Sequence, residues 1–250
     1  MAELITDPTV KMVPHYKRIV LKLSGEAMAG HKGTGFDNDT IDSYAKQIQS
    51  VVALGVDVAI VVGGGNLWRG NQGSSQLGID RATADYMGML GTVMNGLALQ
   101  GALERIGVDT RVQSAIEMRA VAEPYIRRKA IRHLEKSRVV IFVAGTGNPF
   151  FSTDTVAALR GAEIGAELVI KATQVDGVYT ADPRKDSEAK LFEKISYSEY
   201  LTRGLSVLDT AAIALCKENS IPIIVLSLAK PDNILQAVCG VTIGTMIGGC

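Results

Sequence analysis

The sequence predicts an α/β protein, a three-layer α/β/α sandwich around a mainly parallel central sheet, and three observations carry that prediction. Short apolar runs recur along the chain with amphipathic stretches between them. The runs are rich in β-branched residues and apolar on both faces, as strands buried in a parallel sheet must be. Glycine clusters follow three of them, where strands turn into helices.

Taken in order, residues 1–15 contain two prolines and no hydrophobic period, so they are expected as a loosely ordered lead-in to a single domain over 16–250. Residues 18–23 (RIVLKL) form the first predicted strand. A helix over 39–54 follows, with Asp37 or Asp39 as its start signal. Strand 56–62 (VDVAIVV) leads to a helix over 80–106, and strand 110–114 to a helix over 123–136. Strand 138–144 (RVVIFVA) precedes a helix over 153–165, opened by Ser152, Thr153 and Asp154. Strand 167–171, helix 207–219, strand 222–226 (PIIVL) and helix 231–239, opened by Pro231 and Asp232, complete the alternation. No repeat, low-complexity run or composition break divides the chain.

Composition removes several classes of function. Twenty-six Lys+Arg balance 26 Asp+Glu, so bulk charge gives no reason to expect nucleic acid or an anionic membrane as partner. With 47% hydrophobic and 21% charged residues the chain is not intrinsically disordered. Three cysteines without a C-x-x-C argue against a disulfide framework, and three scattered histidines lack metal-ligand spacing. No metal held directly by the protein is expected. The first residues lack an apolar run and carry Glu3, Asp7 and Pro8, unlike a secretory leader. No stretch approaches the ~20 apolar residues of a membrane helix, so a cytoplasmic protein is expected.

In an open parallel sheet, ligands bind beyond the carboxyl ends of the strands. Three glycine clusters fall there: Ser24-Gly25, Gly63-Gly64-Gly65-Asn66, and Gly145-Thr146-Gly147-Asn148-Pro149. Glycine lets backbone N–H groups approach an anion closely, and a helix N-terminus adds partial positive charge. One such turn is as often purely structural; three at one edge point to phosphate. The chain has no G-x-x-x-x-G-K-[ST], and the third small residue of a dinucleotide fingerprint is missing after Gly65 and Gly147, which excludes P-loop and Rossmann readings.

Charged residues at the same edge sharpen this. Lys22 interrupts an apolar strand just before its turn and Lys171 repeats the arrangement. Each reads either as a snorkelling strand-end lysine or as a cation aimed at phosphate. Arg69 follows the GGGN turn and suits phosphate bidentately. Asp154 and Asp209 each open a helix, and their structural reading is a helix-start acid. Two lysines, an arginine and two acids suit phosphoryl transfer, in which the protein mostly positions groups and neutralises charge.

These residues resemble a family. Lys22-Leu23-Ser24-Gly25, the GGGN turn and DGVYTADP (176–183) are similar to the amino acid kinase superfamily. GGGNLWRG (63–70), ADYMGMLGTVMNGLAL (84–99) and GTGNPFFSTDTVAALR (145–160) resemble its bacterial UMP kinase branch, and the similarity runs from about Tyr16 to Thr245. The resemblance implies the amino acid kinase-like fold, with an N-terminal half mainly for UMP and a C-terminal half mainly for ATP. It implies transfer of the ATP γ-phosphoryl group to UMP in pyrimidine nucleotide biosynthesis, with Mg²⁺ carried on the nucleotide phosphates.

Carried over position by position, Lys22, Leu23, Ser24, Gly25, Gly65 and Arg69 match the family's ATP-phosphate region, and Thr173, Tyr179 and Asp182 its adenosine side. Gly64, Asp85 and the run Thr146, Gly147, Asn148, Pro149, Phe150, Phe151, Ser152 and Thr153 match its UMP site, with Asp85 accepting from ribose hydroxyls. Lys22 and Lys171 would stabilise the transferring group, while Asp154 and Asp209 hold the lysines and the metal-bound phosphates. Gly30, His31, Lys32, Gly33, Thr34 and Gly35 match a loop tied to GTP activation, although Thr34 stands where an aromatic is common. UTP inhibition and a homohexamer with the helix at 84–106 in its contacts are further implications.

Bland readings remain for several residues. Tyr179 also reads as an ordinary hairpin aromatic. Met87, Met89 and Met94 read as core and subunit packing, the Arg127-Arg128-Lys129 run as a solvated helix face, Cys216 as a small core hydrophobe, and Cys250 as an exposed terminal thiol. A carboxylate or carbamate kinase of the same superfamily would share the ATP half, and a nucleotide storage or sensor protein would share the fold.

Overall fold

Residues 12–69, 78–183, 185–186 and 188–248 are described in a computed structural model of the chain. Among them, nine strands hydrogen-bond into one sheet: β1 (Arg18–Leu23), β2 (Asp57–Val62), β3 (Thr110–Ser114), β4 (Glu123–Pro124), β5 (Val139–Val143), β6 (Leu168–Thr173), β7 (Lys194–Ile195), β8 (Ile223–Ser227) and β9 (Thr245–Ile247). Their spatial order is β4-β3-β5-β2-β1-β6-β8-β9-β7. Neighbours run parallel except β8 and β9, which pair antiparallel. The mainly parallel sheet expected from the two-sided apolar runs is therefore present, with β1 and β6 central in it.

Alternation along the strands divides the core between two faces. On one side Ile19, Leu21 and Leu23 of β1 join Val58, Ile60 and Val62 of β2 and Val139, Ile141 and Val143 of β5. Helices α2 (Asn38–Ala53), α3 (Arg81–Arg105) and α8 (Asn233–Val238) cover that face. On the other side Val20, Ala59, Val61, Phe142 and Val169 pack beneath α4 (Arg127–Leu134), α5 (Thr153–Ile164), α6 (Tyr197–Thr202) and α7 (Thr210–Glu218). A short α1 (Gly25–Met28) and a 3-10 turn (Gly30–Lys32) sit directly after β1.

Helix starts follow side-chain chemistry. Asp37, Asp80, Ser152, Ser196 and Asp209 each accept a backbone N–H from the first turn of the helix they precede. Three expectations need correction. The helix read over 123–136 begins at Arg127, because residues 123–124 extend the sheet beside β3. The helix read over 207–219 begins at Thr210, with Asp209 as its cap. Asp232 does precede α8, but it sits at φ 68° and makes no capping hydrogen bond.

Of Met87, Met89 and Met94, Met89 is core at 7% exposure while Met94 is 53% exposed. Cys216 is buried and its thiol is pushed up to about 12 by burial. Residues 1–11 of the expected lead-in, and Cys250, lie outside the described residues. No described helix is long and apolar enough to cross a membrane.

Candidate active site

The register of β1 on β6 sets Lys22 directly beside Lys171. Each is two residues on from a side chain packed under α5, so both ammonium groups project to that face. Two cations in neighbouring strands repel, and the first turn of α5 supplies the compensation. Asp154 Oδ1 lies 2.9 Å from Lys22 Nζ and Oδ2 lies 2.5 Å from Lys171 Nζ. Lys171 also donates to the carbonyl of Val207. All three side chains are largely buried.

Burial alone would raise the Asp154 carboxyl, but the charges of Lys22 and Lys171 outweigh it and hold the group below the usual carboxylate value. Burial, and then the charge of Lys22, press Lys171 below the usual lysine value against the opposing pull of Asp154. One carboxylate against two ammonium groups leaves positive charge in excess, beside the N-terminus of α5. That is a place for an anion.

Asp209 is placed differently from its expected part. Rather than gripping the lysines, its carboxylate accepts from the hydroxyls of Ser152 and of Thr155, the latter at 2.9 Å, and caps α7 through the Ala212 N–H at 2.7 Å. The physical reason is packing: α5 and α7 lie side by side, so the cap of one helix meets the cap of the other. Its negative charge still reaches Lys171 and favours the ammonium form. Behind it, the Tyr200 hydroxyl accepts from the Leu208 N–H at 2.6 Å and donates to the Leu208 carbonyl at 3.2 Å, fixing the chain between Val207 and Asp209.

The GGGN turn forms the neighbouring wall. A Cβ on Gly25 would stand 2.5 Å from the Gly65 nitrogen, and one on Gly63 would meet Gly25, Ser24 and Leu23 within 2.9–3.7 Å, so the two turns lie against each other with no room for a side chain between. Ser24 caps α1, and Arg69 pairs with Glu26 at 3.0 Å. A Cβ on Gly64 would meet the Gly88 carbonyl at 2.5 Å, which seats the turn on the backbone of α3.

On the other side of Gly64, Asp85, Thr146, Asn148, Phe151 and Thr153 line a cavity of about 140 Å³. Gly147, Pro149, Phe150 and Ser152 belong to the same turn. Asp85 accepts from the Phe150 N–H at 2.8 Å and pairs with Arg81 at 2.8 Å. Ala144 at φ 59° and Phe150 at φ 73° hold left-handed backbone that non-glycine residues rarely adopt, and such strain gathers at functional turns.

The remaining expected positions fall into two groups. Thr173 ends β6, Tyr179 bridges Leu191 in a small hairpin as its plainer reading had it, and Asp182 accepts backbone N–H groups from Lys185 and Asp186 in an exposed turn. They are strung along the segment leaving β6. In the loop from Gly30 to Gly35, His31, Lys32, Gly33 and Thr34 are exposed. The Gly35 N–H donates to the Asn66 carbonyl at 3.0 Å and Asn66 Nδ2 to the Gly35 carbonyl at 2.7 Å, tying that loop to the GGGN turn.

Sequence reasoning missed the partners. Asn95 is fully buried, donates to the Gly63 carbonyl at 2.6 Å and exchanges hydrogen bonds with Asn66. Its signal was an asparagine amide inside an apolar stretch of helix. Arg81 could have been found from its four-residue spacing to Asp85. Glu26, Thr155 and the Val207 carbonyl carried no local signal.

Residues 17–227 match the amino acid kinase family, from the residue before β1 to the last residue of β8. Among solved structures, a UMP kinase from Bacillus anthracis is 39% identical, with a TM-score of 0.91 over 93% of this chain and 96% of that one. A UMP kinase from Ureaplasma parvum is 38% identical, with a TM-score of 0.88 over 93% and 98% of the two chains. A uridylate kinase from Archaeoglobus fulgidus is 30% identical, with a TM-score of 0.71 over 92% and 99%. The two paired lysines and their glycine turns thus sit on a scaffold shared along nearly its whole length, and the chain belongs to the amino acid kinase family.

Proposed function

We propose that this protein is a uridylate kinase. It transfers the γ-phosphoryl group of ATP, taken as its magnesium complex, reversibly to UMP, giving ADP and UDP for the supply of UTP and CTP in the cytoplasm. The observation that carries this reading is the Lys22–Asp154–Lys171 centre next to a cavity whose wall holds Asp85 and the strained turn at 144–150. Likeness to kinases of known structure over more than nine-tenths of the chain supports it.

Phosphoryl transfer asks the protein to align two phosphates and spread the charge of the transferring group. Lys22 and Lys171 are the electrostatic donors, held together by Asp154 so that their repulsion does not splay them before substrate arrives. Asp209 acts one step back, fixing the hydroxyls of Ser152 and Thr155 and with them the start of α5. The UMP phosphate is already an anion at neutral pH, so no strong base is required. ATP phosphates would lie along Leu23, Ser24, Gly25 and Gly65, with Arg69 turning from Glu26 to them. Thr173, Tyr179 and Asp182 would face adenosine.

UMP would occupy the cavity at Gly64, Asp85 and 146–153, with the free lone pairs of Asp85 turned to ribose hydroxyls. Mg²⁺ would neutralise phosphate charge; the carboxylates of Asp154 and Asp209 suit its water ligands as hard oxygen acceptors. The N-terminal half would serve mainly UMP and the C-terminal half mainly ATP. UTP would inhibit by filling the UMP site, and GTP would activate through the 30–35 loop. A homohexamer would use α3, where Tyr86, Leu90, Met94 and Leu97 form one exposed apolar stripe at helical spacing.

ADP release from Mg-ATP, with UMP, CMP, dUMP, aspartate and acetylglutamate supplied separately and with or without GTP, tests this reading. Turnover on UMP alone is expected. Turnover on aspartate or acetylglutamate in place of UMP overturns it.

A further inference from the structure

A buried guanidinium lies two turns into α5, apart from the lysine centre. Arg160 is 4% exposed, and a charge so placed is costly unless its neighbours compensate. They do so in a directional way. Nη1 pairs with Glu163 at 2.6 Å, and the guanidinium carbon lies over the Tyr125 ring, 3.7 Å from its centroid. The Tyr125 hydroxyl donates to the same Glu163 oxygen at 2.5 Å, and the Phe142 ring meets Tyr125 edge-on at 5.4 Å. With ring and carboxylate both fixed, Nη2 donates to the Gly145 carbonyl at 3.3 Å. Nε has no hydrogen-bond partner, so the group is oriented toward that carbonyl at the expense of its own full satisfaction.

Gly145 begins the turn that carries Thr146, Asn148 and Phe151 into the acceptor cavity. The turn is strained at Ala144 and Phe150, two non-glycine residues at positive φ. Backbone of this kind persists only when the surroundings over-determine it. Two side chains outside the turn hold its first residues: Thr92, which accepts the Ala144 N–H at 2.7 Å, and Arg160.

We infer that Arg160 is a positioning residue for the phosphoryl acceptor. Through the Gly145 carbonyl it fixes the turn that shapes the UMP cavity, and Glu163 and Tyr125 set its angle. The inference rests on the uridylate kinase reading, and it separates the acceptor side of the enzyme from the ATP side.

Wild-type turnover on UMP is measured first; failure there overturns the uridylate kinase reading and this inference with it. Arg160→Lys keeps the charge but loses the planar fork, and KM for UMP should rise about tenfold or more with KM for ATP within about twofold of wild type. Glu163→Gln, which keeps the shape and frees the guanidinium, should shift the same constant in the same direction by less. Should Arg160→Lys not fold, Glu163→Gln decides by the same split. Equal KM values for UMP in folded variant and wild type, an equal rise for both nucleotides, or a lowered thermal midpoint with unchanged kinetics would each overturn the inference.

Discussion

Two ammonium groups on adjacent strands repel until something negative lies between them, and Asp154 at the start of α5 is that group. Lys22→Ala should therefore lower kcat by about 10²–10³, the loss found when one electrostatic donor to a developing charge is removed. Single-turnover kinetics checks it, and near-normal turnover would contradict the assigned part. Lys171, pressed low by burial and by Lys22, gives up its proton at lower pH than the same side chain in the unfolded chain. Turnover should accordingly fall on the alkaline side before the ordinary lysine value of 10.5 is reached, as a pH–rate profile would record. Asp85→Asn should chiefly raise KM for UMP, since the proposed ribose contact would be made in ground and transition states alike. At this scale the sequence was informative about which residues carry charge to the strand ends. It was silent about direction: Asp209 meets Ser152 and Thr155 only because α5 and α7 pack together, a contact more than fifty residues long in sequence.

Helix N-termini and glycine turns do the positioning. Ser152 accepts the N–H groups of Asp154 and Thr155 and donates to Asp209, so it caps one helix and joins it to the cap of another. Gly64 marks a close backbone approach in the site, with the Gly88 carbonyl 2.5 Å from where its Cβ would stand. Gly64→Ala would drive a methyl group into the Gly88 carbonyl, backbone that cannot swing aside, and should cost roughly 1–3 kcal/mol together with a raised KM for UMP. Thermal unfolding and initial rates check the two halves of that expectation. Long elements were legible because five to six apolar β-branched residues, or four turns of amphipathic helix, leave a clear period. β4, β7, β9, α1 and α6 were not: each is six residues or fewer and owes its form to the neighbour it pairs or packs with. The same applies to Asp232, whose composition reads as a helix start while its left-handed backbone turns the side chain out of capping position.

Across the whole molecule, a mainly parallel sheet buries both faces and brings three glycine turns to one edge, so topology alone assembles the site from distant segments. The edge at β3 and β4 carries a separate charge dependence. Burial would raise the Glu123 carboxyl, but Lys129, Gln113 and His133 outweigh it and bring it from 4.5 to about 2. Because the folded value lies below the unfolded one, its contribution to stability is present above about pH 4.5 and is lost as pH falls toward 2. Thermal midpoints across that range should fall less in Glu123→Gln than in the wild type. An exposed apolar stripe is not legible in the same way: exposed Leu90 and Met94 lie within the same apolar helix as buried Val93 and Leu99, and sequence gives them one hydropathy.

Phosphoryl transfer to UMP through paired lysines is tested most directly by quantifying UDP formed from Mg-ATP and UMP by the wild type and by folded Lys22→Ala side by side. The wild type should form UDP and ADP in equal amounts, with the rate in Lys22→Ala lower by about 10²–10³. No UDP from a correctly folded wild type, or equal rates from both proteins, would contradict it.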